Sequence, residues 1–393
     1  MKYILTQALY GLCLVWFLGS CQSNNRHQHN QSSDSAKVNA SQPLFDKVSL
    51  KYAQNFKVDY YDGYKVVTVT KAFTDQTDNL QYVLVPHQQP APKGFKPHQI
   101  VRVPVRSMVT LSTTHVALAD ALGLTDFITG NANNAWISLP SMQKRIKAGK
   151  VVELGGSRNF NQELLVSLQP DIVLMSSTHT AGYQKKQAVM GKSTRLIVNS
   201  GWMEQHPLAR AEWLKFLAVF YNKEKLAAEK FDAIEAQYLQ VKKLAAQAQK
   251  KPSVFCGLPF KGTWYTAKGG SYMAQFLRDA QSAYFWNNTS GSGSHPFDFE
   301  TVFAKAHNGD FWLNVSAAKS LKEIHNKDAR FTKFAAFNQK RIYNNNKRIN
   351  AGGGNDYWVT GFVNPHLVLR DLVKIFHPEL LPEHELVYYQ QLK

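Results

Sequence analysis

The stretch GSRNFNQELLVSLQPDIVLM, residues 156–175, decides how this chain is read. A polar loop runs into NQELLVSLQ, whose apolar residues keep helical spacing, and Pro-Asp then introduces the continuous run Ile-Val-Leu-Met. The first piece predicts a helix. The second predicts a strand buried on both faces, because uninterrupted apolar runs survive only in a sheet covered by helices on each side. The same order of loop, helix and buried strand returns as GSHPFDFETVFAKAHNGDFWLNV, residues 293–315. In the first eight residues of each copy Gly, Ser, Phe and Glu match in place, and Asn161 is answered by Asp298. Those matches alone are ordinary coincidence, but the repeated order of elements behind them predicts two equivalent α/β lobes.

Working outward, VRVPVR (101–106) reads as a strand, and SMVTLSTTHVALADALG (107–123) as a loop, a Ser/Thr cap and a short helix stopped at Gly123. TDFITGN and TRLIVN add strands, and strands alternating with helices predict a parallel sheet with helical crossovers. Upstream, YYDGYKVVTVTKAF and LQYVLVPH alternate as hairpin strands do. No strand signal occurs over 207–249. There Trp213, Phe216, Leu217 and Phe220 mark one helix, and Ile234, Tyr238, Val241 and Ala245 a second. The second, expected over 223–249, would run about 40 Å at 1.5 Å per residue, enough to bridge two lobes. Beyond it SVFCGLPF, GTWYTA and GDFWLNV read as strands, with Ser271 capping the helix SYMAQFLRDA. The expected organisation is an N-terminal α/β lobe over 46–206, connecting helices over 207–249 and a C-terminal α/β lobe over 250–393.

Residues 1–20 hold a Lys, an apolar run through Leu18 and small residues before Cys21, the pattern of a secretory signal rather than of a spanning helix. The ending Leu-Gly-Ser-Cys resembles the bacterial lipobox, which implies lipidation at Cys21 and a polar tether over 21–45 that carries the folded part away from the membrane. Of three cysteines, Cys13 lies in the signal and Cys21 would be acylated, so Cys256 is expected as an unpaired thiol in a buried strand. The formal charge is +18, which by itself suits nucleic acid, an anionic surface or an anionic ligand. Export argues against nucleic acid, and the scattered lysines read as solvated helix faces. With 44% hydrophobic residues, 23 Phe, 17 Tyr and 8 Trp, the 393-residue chain carries ample material for two cores.

Together RSMVTLSTTHVALADALGL, ELGGSRNFNQELLVSLQPDIVLMSS, GTWYTAKGGSYMAQFLRDA, SHPFDFETVFAKA and GNDYWVTGFVNPHLVLRDLVKIFHPELL resemble the substrate-binding lipoproteins of iron-complex ABC importers. These are the class III periplasmic binding proteins, which include ferric-siderophore, haem and cobalamin binders. The resemblance implies two Rossmann-like lobes joined by one long helix, and an iron complex, most often a ferric siderophore, held in the interlobe cleft. It further implies no enzymatic activity, no cofactor, a monomer, and a lipid anchor as the sole membrane contact, with delivery to a permease dimer in the cell envelope. For Glu163 and Glu300 it implies docking prongs that enter arginine pockets on the two permease subunits. From the residues alone, an acidic group in a first helical turn complements the helix dipole by about 0.3–1 kcal/mol, and both readings stand.

Ligands of open α/β sheets meet the loops at the carboxyl ends of strands. Those loops make Ser112, Thr114, Trp136, Trp202, Trp264, Tyr265, Ser271, Tyr357 and Trp358 candidate contacts. Each aromatic is equally suited to a core, but Trp264 and Tyr265 are adjacent, so on a strand only one can face inward. Arg106, Arg158 and the helix start at residues 269–271 offer positive potential for an anionic siderophore, although Arg158 is also placed to orient Glu163. The tract Gly352, Gly353, Gly354 fits either a close backbone approach or an unusual turn, and the turn is the expectation.

A receptor for bare zinc or manganese needs three or four converging ligands. His115, His179, His206, His295 and His307 are available, with no close pair among them. A lipid-anchored hydrolase is the other rival, yet the chain has neither a Gly-x-Ser-x-Gly elbow nor a His-Glu-x-x-His helix. A glycosidase pair would have to face one substrate within about 10 Å, whereas Glu163 and Glu300 are expected on different lobes.

Overall fold

A computed structural model describes residues 45–75, 79–157, 159–176, 179–190 and 194–393. The signal segment, Cys21 with its tether through residue 44, and Arg158 lie outside the described residues.

The chain builds two five-stranded sheets. The first is wholly parallel, in the spatial order Val152–Glu153, Ile128–Asn131, Met108–Thr110, Ile172–Met175, Arg195–Val198. The second runs Ala283–Tyr284, Ser253–Cys256, Phe311–Leu313, Ile342–Asn344, Gln390–Gln391, parallel except for its last strand. Each sheet starts near its middle, extends one way and then crosses back, so each has a switch point where ligands of such folds bind. The PDIVLM and GDFWL runs supply Ile172–Met175 and Phe311–Leu313, interior strands of their sheets whose successive side chains are buried or half-buried, which is why neither shows alternation.

One helix of 22 residues, Glu224–Ala245, joins the lobes. Its Phe231, Tyr238, Val241 and Ala245 are buried, while Lys and Glu cover the outer side. It ends earlier than the expected 249, because the run Ala-Gln-Ala-Gln after Ala245 supplies no large apolar side chain to bury. Helix Pro207–Ala218 is hydrophobic nearly all round, with Trp213 and Phe216 fully buried, so it forms a central spine rather than a surface helix.

Strands Phe56–Tyr61, Tyr64–Val69 and Leu80–Pro86 form the expected antiparallel arrangement. VRVPVR, however, is not one strand of the parallel sheet. Ile100–Val103 joins the hairpin sheet as its fourth strand, and Pro104, which has no amide hydrogen to donate, ends it. The parallel sheet begins only at Met108. A buried ion pair fastens this small sheet to the bridging helix. Lys65 Nζ lies 2.6 Å from Glu224 Oε1 and also donates to Val219 O and Asn222 Oδ1. Removing one member of such a pair strands a buried charge, at a cost of about 3–5 kcal/mol.

The echo of residues 156–163 and 293–300 acquires a local cause. Asn161 and Asp298 are the N-caps of helices Gln162–Leu168 and Phe299–Ala306, accepting from Leu164 N (3.0 Å) and Thr301 N (2.7 Å). Each glutamate stands two places after its cap, exposed in the first turn.

Candidate ligand-binding cleft

A cleft of about 590 Å³ opens between the lobes. The second lobe supplies most of its wall, from the carboxyl ends of three parallel strands: Cys256 and Gly257, Asn314, and Asn345. The first two of these ends flank the second sheet's switch point. Ser271, Tyr272 and Met273 at the start of helix Tyr272–Asp279 extend the wall, as do Tyr265 on the ribbon Trp264–Ala267 and the pair Tyr357, Trp358. The first lobe contributes Trp202, Met203 and Glu204 after strand Arg195–Val198, together with Lys71 and Thr74 after the hairpin.

Aromatic faces dominate the opening. Tyr265 is 51% exposed, Trp358 47% and Trp202 36%. Such exposure of large rings around one concavity is what a flat or amphipathic ligand requires, since rigid rings lose little entropy on contact. Tyr357 is buried behind Trp358, its ring edge-on at 4.7 Å, and holds that indole in place. Asn314 and Asn345 supply amide groups. Burial pushes the Cys256 thiol up to about 12, so it contributes a neutral wall rather than a nucleophile.

Trp202, Tyr265, Ser271, Tyr357 and Trp358 thus stand on the cleft wall, and the remaining candidates do not. Trp264 is fully buried in the second core, where its indole donates to Cys256 O at 3.0 Å and stacks on Trp312 at 5.6 Å. Strand alternation sent Trp264 inward and Tyr265 outward. Arg106 sits at the amino edge of strand Met108–Thr110, its amide donating to Asp171 Oδ2, at the opposite end of the strand from any ligand loop. The reason is the early strand break at Pro104. Ser112 caps helix Thr113–Ala121, and Thr114 bonds to it at 2.8 Å, so both are spent on the helix start. The amides of residues 269, 270 and 271 already donate to Thr289 Oγ1, Gly291 O and Lys268 O, which leaves no free amide cradle there for an anion.

Trp136, 48% exposed, belongs to a contact between the lobes. Asn350 Nδ2 donates to Ala135 O at 2.9 Å. A Cβ on Gly352 would stand 2.2 Å from that carbonyl, and one on Gly354 2.1 Å from Trp136 O. Close backbone approach is therefore what demands glycine at 352 and 354, and only Gly353, at φ +84°, serves the turn.

Sequence reasoning missed Lys71, Thr74, Glu204, Asn314 and Asn345. The asparagines had a signal, each directly following a short buried strand. Lys71 and Glu204 had none, because their approach depends on how the hairpin sheet sits against the spine helix.

The histidines are dispersed. His115 is buried, with Nε2 3.4 Å from Ser176 Oγ, and burial holds its pKa at about 4. His206 caps helix Pro207–Ala218, and His307 contacts Phe303 O within its own helix. Among the described residues no three His, Cys, Asp or Glu gather to hold a metal ion. Nor is any described helix long and apolar enough to cross a membrane.

Two α/β lobes, one bridging helix and a cleft at strand ends agree with what the chain matches: residues 108–348 fit the family model described as periplasmic binding protein. The chain belongs to the periplasmic binding protein family. Members are substrate-binding proteins of ABC transporters rather than enzymes, and they hold a ligand rather than a cofactor. This binding protein is 24% identical to an uncharacterized lipoprotein of Methanocaldococcus jannaschii over 96% of its own length and 94% of the relative. Its fold matches Staphylococcus aureus IsdE, solved with haem, at a TM-score of 0.52 and 17% identity, covering 69% of this chain and 98% of that one. It also matches the siderophore-binding protein BauB, solved with two molecules of acinetobactin and ferric iron, at a TM-score of 0.51 and 17% identity, over 79% and 99% of the two chains.

Proposed function

We propose that this periplasmic binding protein captures an iron complex, foremost a ferric siderophore, in the interlobe cleft and delivers it to an ABC permease dimer. The observation that carries the reading is the cleft of about 590 Å³ edged by Trp202, Tyr265 and Trp358 and floored by Asn314 and Asn345. That size suits a compact metal chelate, and the mixture of rings and amides suits a ligand with apolar faces and peripheral carbonyls. Haem is the second reading. Tyr265, Met203 and Met273 on the wall are side chains of the kind that ligate haem iron.

In this scheme Cys21 carries the lipid anchor, the chain acts as a monomer, and Glu163 and Glu300 are the docking prongs. Their support is exposure, lobe-equivalent placement and absence from the cleft wall. Two carboxylates held on one rigid body suit charge-assisted bonds to a twofold-symmetric receiver. A single helical connector predicts modest lobe closure rather than a wide hinge.

The test is a titration of purified protein with ferric siderophores, haem and cobalamin, read by absorbance and tryptophan fluorescence. Saturable one-to-one binding of a ferric siderophore supports the reading. Exclusive binding of haem, with a ligation band lost in Tyr265→Phe or a Met variant, moves the assignment to the second.

A further inference from the structure

A second cavity, of about 170 Å³, adjoins the cleft. The two share Lys71, Met203 and Glu204, and Tyr52, Asn55 and His206 close the smaller one. Glu204 is the unusual member. It is 5% exposed, and its Oε1 accepts from Gln54 N (3.0 Å), Asn55 N (2.9 Å) and Trp213 Nε1 (3.1 Å). No described residue donates to its Oε2, and no described cation is paired with it. One oxygen therefore fastens the N-terminal segment to the spine helix while the other is left for the cavities whose walls it forms.

A buried carboxylate without a counter-charge is unfavourable unless something supplies one. His206 does not. Its Nδ1 accepts from Leu208 N at 3.0 Å and burial lowers its pKa, so at neutral pH the ring is uncharged. Lys71, exposed, lines both cavities but forms no ion pair with Glu204. Resting on the reading of the cleft as an iron-complex site, we propose that the smaller cavity receives an ammonium-bearing arm of the bound complex, with Glu204 Oε2 as its acceptor. A ligand of high negative charge, such as a ferric tris-catecholate, would instead bring its charge against that carboxylate. The preferred cargo is thus a neutral ferric core, such as a trihydroxamate, carrying a cationic tail.

The experiment uses one linear ferric trihydroxamate in three forms: with its free terminal ammonium, N-acetylated, and N-succinylated. Affinities are read from quenching of tryptophan fluorescence in the full chain and in Glu204→Gln, which keeps an oxygen for the three N–H donors. The free-ammonium form should bind about tenfold or more tighter than the acetylated one, the scale of a hydrogen bond to a charged group, with the succinylated form weakest. In Glu204→Gln the ammonium and acetylated forms should bind alike, with Tm unchanged. Equal affinity for all three, tightest binding of the succinylated form, or an ammonium preference that persists in Glu204→Gln overturns the proposal. Binding of the acetylated form without an ammonium preference removes this inference alone. Failure of all three forms to bind removes the ferric-siderophore reading with it.

Discussion

At residues 156–163 and 293–300 the two lobes match: a cap, a short helix, and an exposed glutamate two places after the cap. Their inner edges do not match. In the second lobe the switch point opens into the cleft through Gly257 and Asn314, whereas in the first lobe Ser112, Thr114 and His115 fill the corresponding region with a helix cap and a buried imidazole. Under the proposed function the difference follows from what each surface would meet. A twofold-symmetric receiver rewards the same group on both lobes, while one asymmetric ligand needs only a complementary wall. The outer repeat and the inner asymmetry are thus expected together in a binding protein that serves a dimer.

The largest effect should come from the outer surface. Glu163→Ala with Glu300→Ala should abolish ligand uptake in cells while leaving the dissociation constant of the purified protein unchanged. A loss of affinity with intact uptake would break the comparison at its root. On the inner surface, Trp264→Ala and Tyr265→Ala separate core from cleft at adjacent positions. The first should cost about 3–5 kcal/mol in chemical denaturation, as deletion of a buried indole does. The second should leave stability near wild type and weaken ligand binding by about 2 kcal/mol, the size of an interface anchor. Exchanged outcomes would reverse the assignment of the two faces of that strand.

The interlobe contact gives a smaller effect. Gly354→Ala forces a Cβ against Trp136 O, so the loops must part, and stability should fall by about 1–3 kcal/mol with several-fold weaker ligand binding. Unchanged affinity would show that the lobe spacing is set elsewhere. The smallest effect concerns an inequality between the two proposed docking glutamates. Arg330, which also grips Asp328 through its guanidinium, holds Glu300 at 2.9 Å. Both partners are exposed, so the pair is worth less than about 1 kcal/mol, and Arg330→Ala should change uptake only a few-fold. A collapse of uptake would make Arg330 a part of the docking surface in its own right.

Much of the architecture was legible from side-chain chemistry acting over short distances. Ser271 and the Ser/Thr cap at Ser112 announced helix starts, and unbroken apolar runs announced buried strands, whereas the caps Asn161 and Asp298 stood out only as matching positions. VRVPVR misled because its alternation is genuine, but Pro104 divides it between the hairpin sheet and the lead to the next strand. The cleft was half legible. Strand-end loops do line the cleft, and alternation required one of Trp264 and Tyr265 to face outward without saying which. Which loops reach the ligand depends on how one lobe is turned against the other, and contacts between residues far apart in the chain fix that orientation. Trp136 lies on a strand-end loop whose backbone packs against residues 350–354 of the other lobe instead of lining the cleft. Glu204 carried no signal in the sequence; its place in the cavity walls depends on the docking of residues 54 and 55 onto one of its oxygens.

The most direct test is the position of iron. In crystals grown with a ferric trihydroxamate, anomalous scattering at the iron edge should show one site, inside the cleft and bounded by Trp202, Tyr265 and Trp358. Iron beside Ser112 and Thr114, iron on the outer surface near either glutamate, or a saturated solution complex whose crystals leave the cleft empty would contradict the account.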